Sequence, residues 1–259
     1  MPRTRISAVA FALVLSACSR TPAPAAAPTP AAALSACPPG KAAIPGGVFA
    51  KAGAAPATVQ AFCLDVIEVT VADYAACVKR GGCTPAFATA DHPGITDAQR
   101  AAAGKFCNED KPDRQDHPVN CVDWSQAKAY CTSRGERLPT DLEWEWAARG
   151  EERATTYPWG DAALADQACW NGGNVVSGAR RSTCRVASHP LGDNPQGIHD
   201  LSGNVWEWVE DGGETADLRV HRGGSWALQK PELLAADSRG QAESTVRQSS
   251  VGFRCAKSF

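Results

Sequence analysis

Several features that would assign a protein to a functional class at once are scarce or missing in this sequence. The 259 residues carry a formal net charge of −2 and no run of basic residues, which gives no case for binding to nucleic acid. No Cys-x-x-Cys occurs, so neither a zinc ribbon nor a thioredoxin-like redox motif is indicated. The single methionine is Met1, and no apolar run reaches the roughly 20 residues that a membrane-spanning helix requires. The functional class must therefore come from what the sequence does contain.

The first 18 residues predict an export signal. A positively charged start precedes a short apolar core over residues 8–15. Leu15-Ser-Ala-Cys18 then resembles the site at which bacterial lipoproteins are cleaved and acylated on cysteine. This interpretation predicts a lipid on Cys18 that anchors the protein to a membrane of the bacterial cell envelope. Ser19 is compatible with sorting to the outer membrane, with the protein facing the periplasm.

The remaining chain divides into a tether and a folded part. Residues 19–39 are rich in Ala and Pro, which cannot bury apolar surface and favour extended conformations. Residues 40–259 contain no second linker and are enough for one large domain. The predicted organisation is a signal peptide over 1–18, a tether over 19–39 and one domain over 40–259.

Capping patterns predict three helices in this domain. In each, a Thr or Asp precedes an apolar helical pattern and a glycine follows it. The segments run from Thr70 to Gly81, from Asp123 to Gly135 and from Thr140 to Gly150.

The rest of the domain predicts short strands and irregular structure. Strands are expected near 44–49 and 62–70, where β-branched and aromatic residues are frequent. Residues 84–118 show little periodicity and predict a long irregular loop. After residue 150, turn-forming segments dominate, and the strands expected between them lie around 204–209, 219–221 and 251–255. The predicted class is a coil-rich α+β domain.

Four short stretches in the second half of the chain carry a family resemblance. They are Arg137–Gly150, which contains Leu-Glu-Trp-Glu-Trp, Gly203-Asn-Val-Trp-Glu-Trp208, Arg222-Gly-Gly-Ser-Trp226 and Val251-Gly-Phe-Arg-Cys255. In this order they closely resemble the formylglycine-generating enzyme (sulfatase-modifying factor) family, over roughly residues 40–259. The resemblance implies that family's fold, a coil-rich, disulfide-stabilised variant of the C-type-lectin-like architecture.

The tryptophans of these motifs are expected to be structural. Each aromatic side chain can bury roughly 150–250 Å², which favours a core position over a substrate platform. This prediction applies to Trp144, Trp146 and Trp208.

The segment after Ser225 separates this chain from the catalytic members of the family. The resemblance implies copper-dependent oxidases in which two cysteines, three and eight positions after this serine, hold Cu(I) and help oxidise a substrate cysteine. The matching positions are Leu228 and Leu233, and a leucine side chain offers no soft donor for Cu(I). We therefore expect neither copper nor a catalytic residue. If the family's pocket is retained, Trp206 and Ser225 match positions in its lining.

The resemblance also implies a calcium site around Gly-Asn-Val-Trp-Glu-Trp. Its matching positions are Asp200, Gly203, Val205 and Glu207. Two carboxylates and two backbone carbonyls are hard oxygen donors that suit Ca²⁺. The alternative is that the two carboxylates only accept hydrogen bonds from backbone groups or arginine.

Cysteine usage agrees with export. The chain has eleven cysteines, and ten remain when Cys18 is set aside for the lipid, an even number that suggests a disulfide framework. The family resemblance implies the pair Cys131–Cys255. Proximity in the sequence then suggests three local pairs and leaves a fourth: Cys77–Cys83, Cys107–Cys121, Cys169–Cys184 and Cys37–Cys63.

Three functions stay open. The leading interpretation is a lipoprotein whose domain is a non-catalytic binding or interaction module for a protein or peptide ligand. The alternative is an oxidase of the formylglycine-generating or non-haem iron superfamily, acting on a thiol or peptide substrate through an altered metal site. The five histidines show no ligand spacing that would support iron. The third is a structural role in envelope assembly.

Overall fold

The computed structural model describes residues 37–50, 55–172 and 182–259. The predicted signal peptide, Cys18 and most of the predicted tether lie outside these ranges. No helix within them is both long and apolar enough to cross a membrane.

The described ranges contain four α-helices and nine short strands. The helices are α1 (Val71–Lys79), α2 (Asp97–Gly104), α3 (Trp124–Ser133) and α4 (Asp141–Ala148). The strands are β1 (Lys41–Ile44), β2 (Gly47–Phe49), β3 (Ala57–Val59), β4 (Phe62–Asp65), β5 (Trp206–Gly212), β6 (Leu218–Arg222), β7 (Arg239–Glu243), β8 (Val251–Gly252) and β9 (Ala256–Ser258). Both element types are present in one chain, as the sequence predicts for an α+β domain.

The strands form three sheets, ordered β1-β4-β9, β2-β3 and β7-β6-β5-β8. Every pair is antiparallel except β5–β8, which is parallel. In the first sheet, β4 is the central strand and lies between the first and the last strands of the described chain. This arrangement brings the carboxyl-terminal residues back to the start of the domain.

Side-chain caps explain where the helices begin. Thr70, Asp123 and Thr140 each accept a hydrogen bond from a backbone N–H in the first turn, which confirms the three predicted starts. The prediction of an irregular loop over 84–118 is wrong where α2 lies. This helix has a capping box between Thr96 and Gln99 but no buried residue, so it lacks the apolar periodicity by which a helix is recognised.

The strand predictions are correct in kind and inexact in extent. The strand expected over 62–70 ends at Asp65, and β7 was not predicted. The sequence of β7, Arg-Gly-Gln-Ala-Glu, has no β-branched or aromatic residue. Its pairing with β6 therefore comes from tertiary context.

Tryptophans lie at the centre of the packing, as predicted. Trp144 and Trp208 are fully buried, and Trp146 is 1% exposed. Trp144 and Trp146 pack on one side of the β5–β6 pair with residues of β1 and β4. Trp208 packs on the other side, in a cluster that contains Phe253.

Five disulfides join the ten described cysteines, and their connectivity is the predicted one. The pairs are Cys37–Cys63, Cys77–Cys83, Cys107–Cys121, Cys131–Cys255 and Cys169–Cys184. The Cys131–Cys255 bridge spans 124 residues of sequence and connects α3 to the carboxyl-terminal segment.

Candidate functional site

The candidate site is built on the turn that leads into β5. Asp200, Gly203 and Asn204 have positive φ angles of 57°, 89° and 52°, so three residues of the turn adopt a left-handed conformation. Glycine is needed at 203 for a second reason, because a Cβ atom there would lie 2.6 Å from the Cys169 carbonyl oxygen. The Asn204 N–H donates to that carbonyl oxygen at 2.9 Å. The turn is thereby attached to the Cys169–Cys184 disulfide.

Glu207, on β5, is completely buried, and both of its carboxylate oxygens accept hydrogen bonds. Arg254 donates to both of its carboxylate oxygens, with Nε–Oε2 and Nη2–Oε1 distances of 2.7 Å each. The Trp144 indole N–H donates to Oε2 at 2.7 Å. Charge-assisted bidentate bonds of this kind are strong and directional, and they offset the cost of burying both charges. Glu207 therefore connects β5 to α4 and to the segment that follows β8.

Glu68 is a second completely buried carboxyl group at the site. It accepts hydrogen bonds from the Asn204 side-chain amide at 2.5 Å and from the Val205 N–H at 3.1 Å. Burial, and then the negative charges of Asp200 and Glu207, raise the pKa of Glu68 well above its usual range.

Asp200 is the third acidic side chain. Its Oδ2 atom accepts a hydrogen bond from the Ala187 N–H at 2.7 Å. Burial raises the pKa of Asp200 to about 6, against the lowering effect of that hydrogen bond and of Arg254. Three buried carboxyl groups, those of Glu68, Asp200 and Glu207, thus interact with one arginine, so their complete ionisation leaves an excess of negative charge.

The four predicted calcium positions supply donors that fit a hard cation. The carbonyl oxygens of Gly203 and Val205 accept no hydrogen bond from a described residue. Oε1 of Glu207 accepts one hydrogen bond and keeps a second lone pair. Asp200 adds a carboxylate, and the excess negative charge favours a divalent ion. The hydrogen bonds of the alternative interpretation are present as well, because Glu207 is paired with Arg254 and Asp200 with backbone.

A second acidic group in the described residues is an ion pair rather than a metal site. Asp65, Glu136 and Cys255 bring potential ligand atoms within 4.8 Å of one another. The Cys255 sulfur belongs to a disulfide, and the Lys41 ammonium lies 2.5 Å from Asp65 and 3.0 Å from Glu136. The lysine already supplies the positive charge.

The segment after Ser225 presents hydrocarbon where the resemblance implies copper ligands. The Leu228 N–H donates to the Ser225 carbonyl oxygen at 3.1 Å, which closes a turn. A Cβ atom on Gly224 would lie 3.2 Å from a Leu228 methyl carbon and 2.8 Å from the Leu233 carbonyl oxygen. Leu228 is half-buried and Leu233 is exposed. Because every described cysteine is in a disulfide, none of them leaves a thiol for this segment.

The two predicted pocket-lining residues occupy different surroundings. Trp206 is half-buried and meets the His221 ring edge-to-face, with 4.7 Å between ring centroids. Ser225 is 1% exposed. No hydrogen bond or ring contact in the described parts of the chain joins Trp206 to Ser225, so their role in a pocket stays a prediction.

Sequence reasoning identified the turn but missed two of its partners. Glu68 binds Asn204 across 136 residues of sequence, and Trp144 binds Glu207 across 63. Glu68 lies in the region 62–70 where a strand was expected, but no local pattern indicates its partner. Arg254 belongs to the motif Val251–Cys255, and the structure identifies Glu207 as its partner.

Comparisons with known proteins agree with the family resemblance of the sequence motifs. The model of the family described as sulfatase-modifying factor enzyme 1-like domain matches residues 21–259. An inactive C-alpha-formylglycine-generating enzyme 2 of Bos taurus is 35% identical over 159 residues, which cover 56% of this chain and 51% of that protein. A formylglycine-generating enzyme of Thermomonospora curvata is 34% identical over 173 residues, covering 56% of each. The chain spans about half the length of the curated relatives it matches.

Two solved structures show the same fold. CarF superposes with a TM-score of 0.65 at 20% identity, over 85% of this chain and 98% of CarF. PvdO from Pseudomonas aeruginosa gives a TM-score of 0.65 at 22% identity, over 84% of this chain and 93% of PvdO. At these identities the likeness concerns the fold alone.

Proposed function

Because the chain belongs to the family of the sulfatase-modifying factor enzyme 1-like domain, we propose that it is a non-catalytic member that acts as a binding or interaction module. In this proposal the domain has the coil-rich C-type-lectin-like variant of the family fold. A lipid on Cys18 holds it at the bacterial cell envelope, in the periplasm or at the outer membrane. Its ligand is a protein or peptide.

The observation that carries this proposal is the chemistry of the segment after Ser225. Leu228 and Leu233 stand three and eight positions after that serine. Their side chains provide no atom that binds Cu(I), which requires thiolate or thioether donors. A nonlocal cysteine from the described chain would have to leave its disulfide to replace them.

The sequence identities to the relatives do not decide whether this chain is catalytic. A relative named as an inactive enzyme and relatives named as enzymes match at nearly the same identity, 35% and 34%. The residues after Ser225 therefore decide the proposal. A surviving pocket would use Trp206 and Ser225 to contact the ligand.

Copper binding tests the proposal directly. We expect the protein with its five disulfides intact to bind no stoichiometric Cu(I) and to consume no oxygen with a cysteine-containing peptide. The variant Leu228→Cys/Leu233→Cys should bind about one equivalent of Cu(I), because two thiolates suffice for a linear site. A Cu(I) titration with a chromophoric competitor, combined with oxygen uptake, measures both.

The control is Val48→Cys/Leu191→Cys, which adds two thiols at exposed apolar positions that do not belong to this segment. It should not gain the same tight equivalent. Stoichiometric copper binding and thiol-dependent oxygen uptake by the unaltered protein would sink the non-catalytic proposal and support the oxidase alternative.

Calcium is the cofactor that we propose for the turn before β5. Asp200 and Glu207 would supply carboxylate oxygens, and Gly203 and Val205 would supply carbonyl oxygens. A bound calcium ion supplies positive charge and cross-links the turn. The excess of buried carboxyl groups over Arg254 supports this proposal.

The pH dependence of stability tests the calcium site. Asp200 has a folded pKa of about 6 and an unfolded pKa near 3.9, so the stability that it contributes is complete below pH 4. Without calcium, that contribution is lost as the pH rises from about 4 to 6, up to about 3 kcal/mol. Calcium should restore stability at pH 7 and have little effect at pH 4. Urea unfolding at both pH values, with and without calcium, measures this difference.

Asp200→Asn provides the matched control. In calcium-free buffer it should flatten the decline between pH 4 and 6, and it should weaken the response to calcium. The calcium site is ruled out if the urea denaturation midpoint at pH 7 is the same with calcium as with a chelator.

A further inference from the structure

The outer side of β7 is an open strand edge. This strand forms one edge of the four-stranded sheet and pairs with β6 on its inner side, with Gln241 opposite Val220. Outside that ladder, the backbone of residues 239–242 makes no backbone hydrogen bond within 37–50, 55–172 and 182–259. The first and last residues of β7 are exposed, and the three between them are half-buried. A row of N–H and C=O groups in this situation is a template for another strand.

Opposite charges stand at the two ends of this edge. Arg239 lies at its start and Glu243 at its end. The Arg239 Nε atom donates to Asp141 at 2.8 Å, while its two terminal nitrogens make no hydrogen bond with the described chain. The Glu243 carboxylate makes no hydrogen bond or ion pair with a described residue. Both side chains therefore have binding capacity available at the edge.

The charges along β7 are arranged so that two antiparallel copies of this strand attract each other. Gln241 lies midway between Arg239 and Glu243. In an antiparallel pair with Gln241 opposite Gln241, each Arg239 lies opposite the Glu243 of the other strand. Opposite charges directly across two antiparallel strands stabilise the pair, and like charges destabilise it.

The residues between these positions permit close approach. Gly240 and Ala242 have small side chains, and the same register places each opposite the other residue type. In an antiparallel pair, two residues that face each other either exchange both of their backbone hydrogen bonds or exchange none. A two-fold axis can pass through either kind of residue pair. Gln241 can therefore face Gln241 whether or not its own N–H group points outward.

We propose that the β7 edge binds a second copy of this chain through an antiparallel β7–β7 pair with two-fold symmetry. The two four-stranded sheets then become one continuous sheet across the dimer. The contact is isologous, because the same patch serves both partners. A different partner would need a strand with acidic and basic residues four positions apart in the complementary order, which this chain supplies itself.

A cysteine at the two-fold axis tests the register. Residues opposite each other in antiparallel strands have Cα atoms about 4.5–5.5 Å apart, which lies in the range for a disulfide. The full-length chain with Gln241→Cys, in a nonionic detergent that tolerates an acylated amino terminus, should form a covalent dimer under mild oxidation. Gln229→Cys, at an exposed position outside β7, is the control and should stay monomeric on non-reducing gels. Equal cross-linking of the two variants overturns the proposal.

Charge exchange tests the interface itself. Glu243→Arg places arginine opposite Arg239 in both pairs, so we expect the dimer dissociation constant to rise roughly tenfold or more. Arg239→Glu should act in the same direction, and the double exchange should restore most of the affinity. Sedimentation equilibrium measures all four proteins, and circular dichroism verifies their folding. The proposal is contradicted if the unaltered chain is monomeric at every soluble concentration. It is also contradicted if neither the single nor the double exchanges change the dimer dissociation constant.

Discussion

Replacing Arg254 by methionine is expected to lower the free energy of unfolding by about 3–5 kcal/mol. The guanidinium and the Glu207 carboxylate are both fully buried. Removal of one partner leaves the other charge buried without compensation, and Glu68 and Asp200 lose the same positive neighbour. Lost hydrogen bonds from Arg254 to the carbonyl oxygens of Asp65 and His199, at 3.1 and 2.8 Å, add to the effect. Urea unfolding at pH 7, with the slope compared between variants, measures the loss.

Lys128→Met is the matched control, since Lys128 pairs with Glu210 at the surface. That substitution should cost less than about 1 kcal/mol. Arg254→Lys should fall between the two, because lysine keeps the charge but cannot form the bidentate pair. If Arg254→Met and Lys128→Met proved equally mild, the buried ion pair would not hold the site together.

The second large effect is expected from the Cys131–Cys255 disulfide. Its removal in Cys131→Ala/Cys255→Ala should cost about 5 kcal/mol, because the bridge closes a loop of 124 residues in the unfolded chain. The sulfur atoms are completely buried, so packing losses add to the entropic effect. Chemical denaturation of the purified, oxidised variants gives the free energy directly.

Cys77→Ala/Cys83→Ala serves as the comparison, since this bridge separates its cysteines by 6 residues. The same chain-entropy argument gives about 2.2 kcal/mol for it. The informative quantity is the difference between the two double variants. Equal losses would mean that loop closure does not determine what these disulfides contribute.

Local chemistry was sufficient for much of the fold. Three helices could be predicted from their N-caps, Thr70, Asp123 and Thr140, because a cap acts within one turn of the chain. The five disulfides followed from the even cysteine count, short spacings and one family resemblance. The polar elements α2 and β7 were not predicted, because α2 buries no residue and β7 contains no residue type that favours strands.

The candidate site could be predicted only in part. Asp200, Gly203, Val205 and Glu207 lie within eight residues, so a motif reveals them together. Glu68, Trp144 and Arg254 reach them from three distant segments. Such contacts depend on how the sheets and α4 pack, which no local pattern records. The electrostatic excess at the turn is therefore a property of the fold rather than of the motif.

The Cys37–Cys63 bridge determines how a mechanical load would enter the domain. Cys63 belongs to β4, the central strand of the sheet β1-β4-β9. A pull on the chain before Cys37 passes through the covalent bridge into β4, which hydrogen bonds hold on both sides. Without the bridge, the same pull would reach β1 first and open its ladder with β4 one pair at a time. With the bridge, the load enters a strand that two ladders hold, rather than an edge strand that one ladder holds.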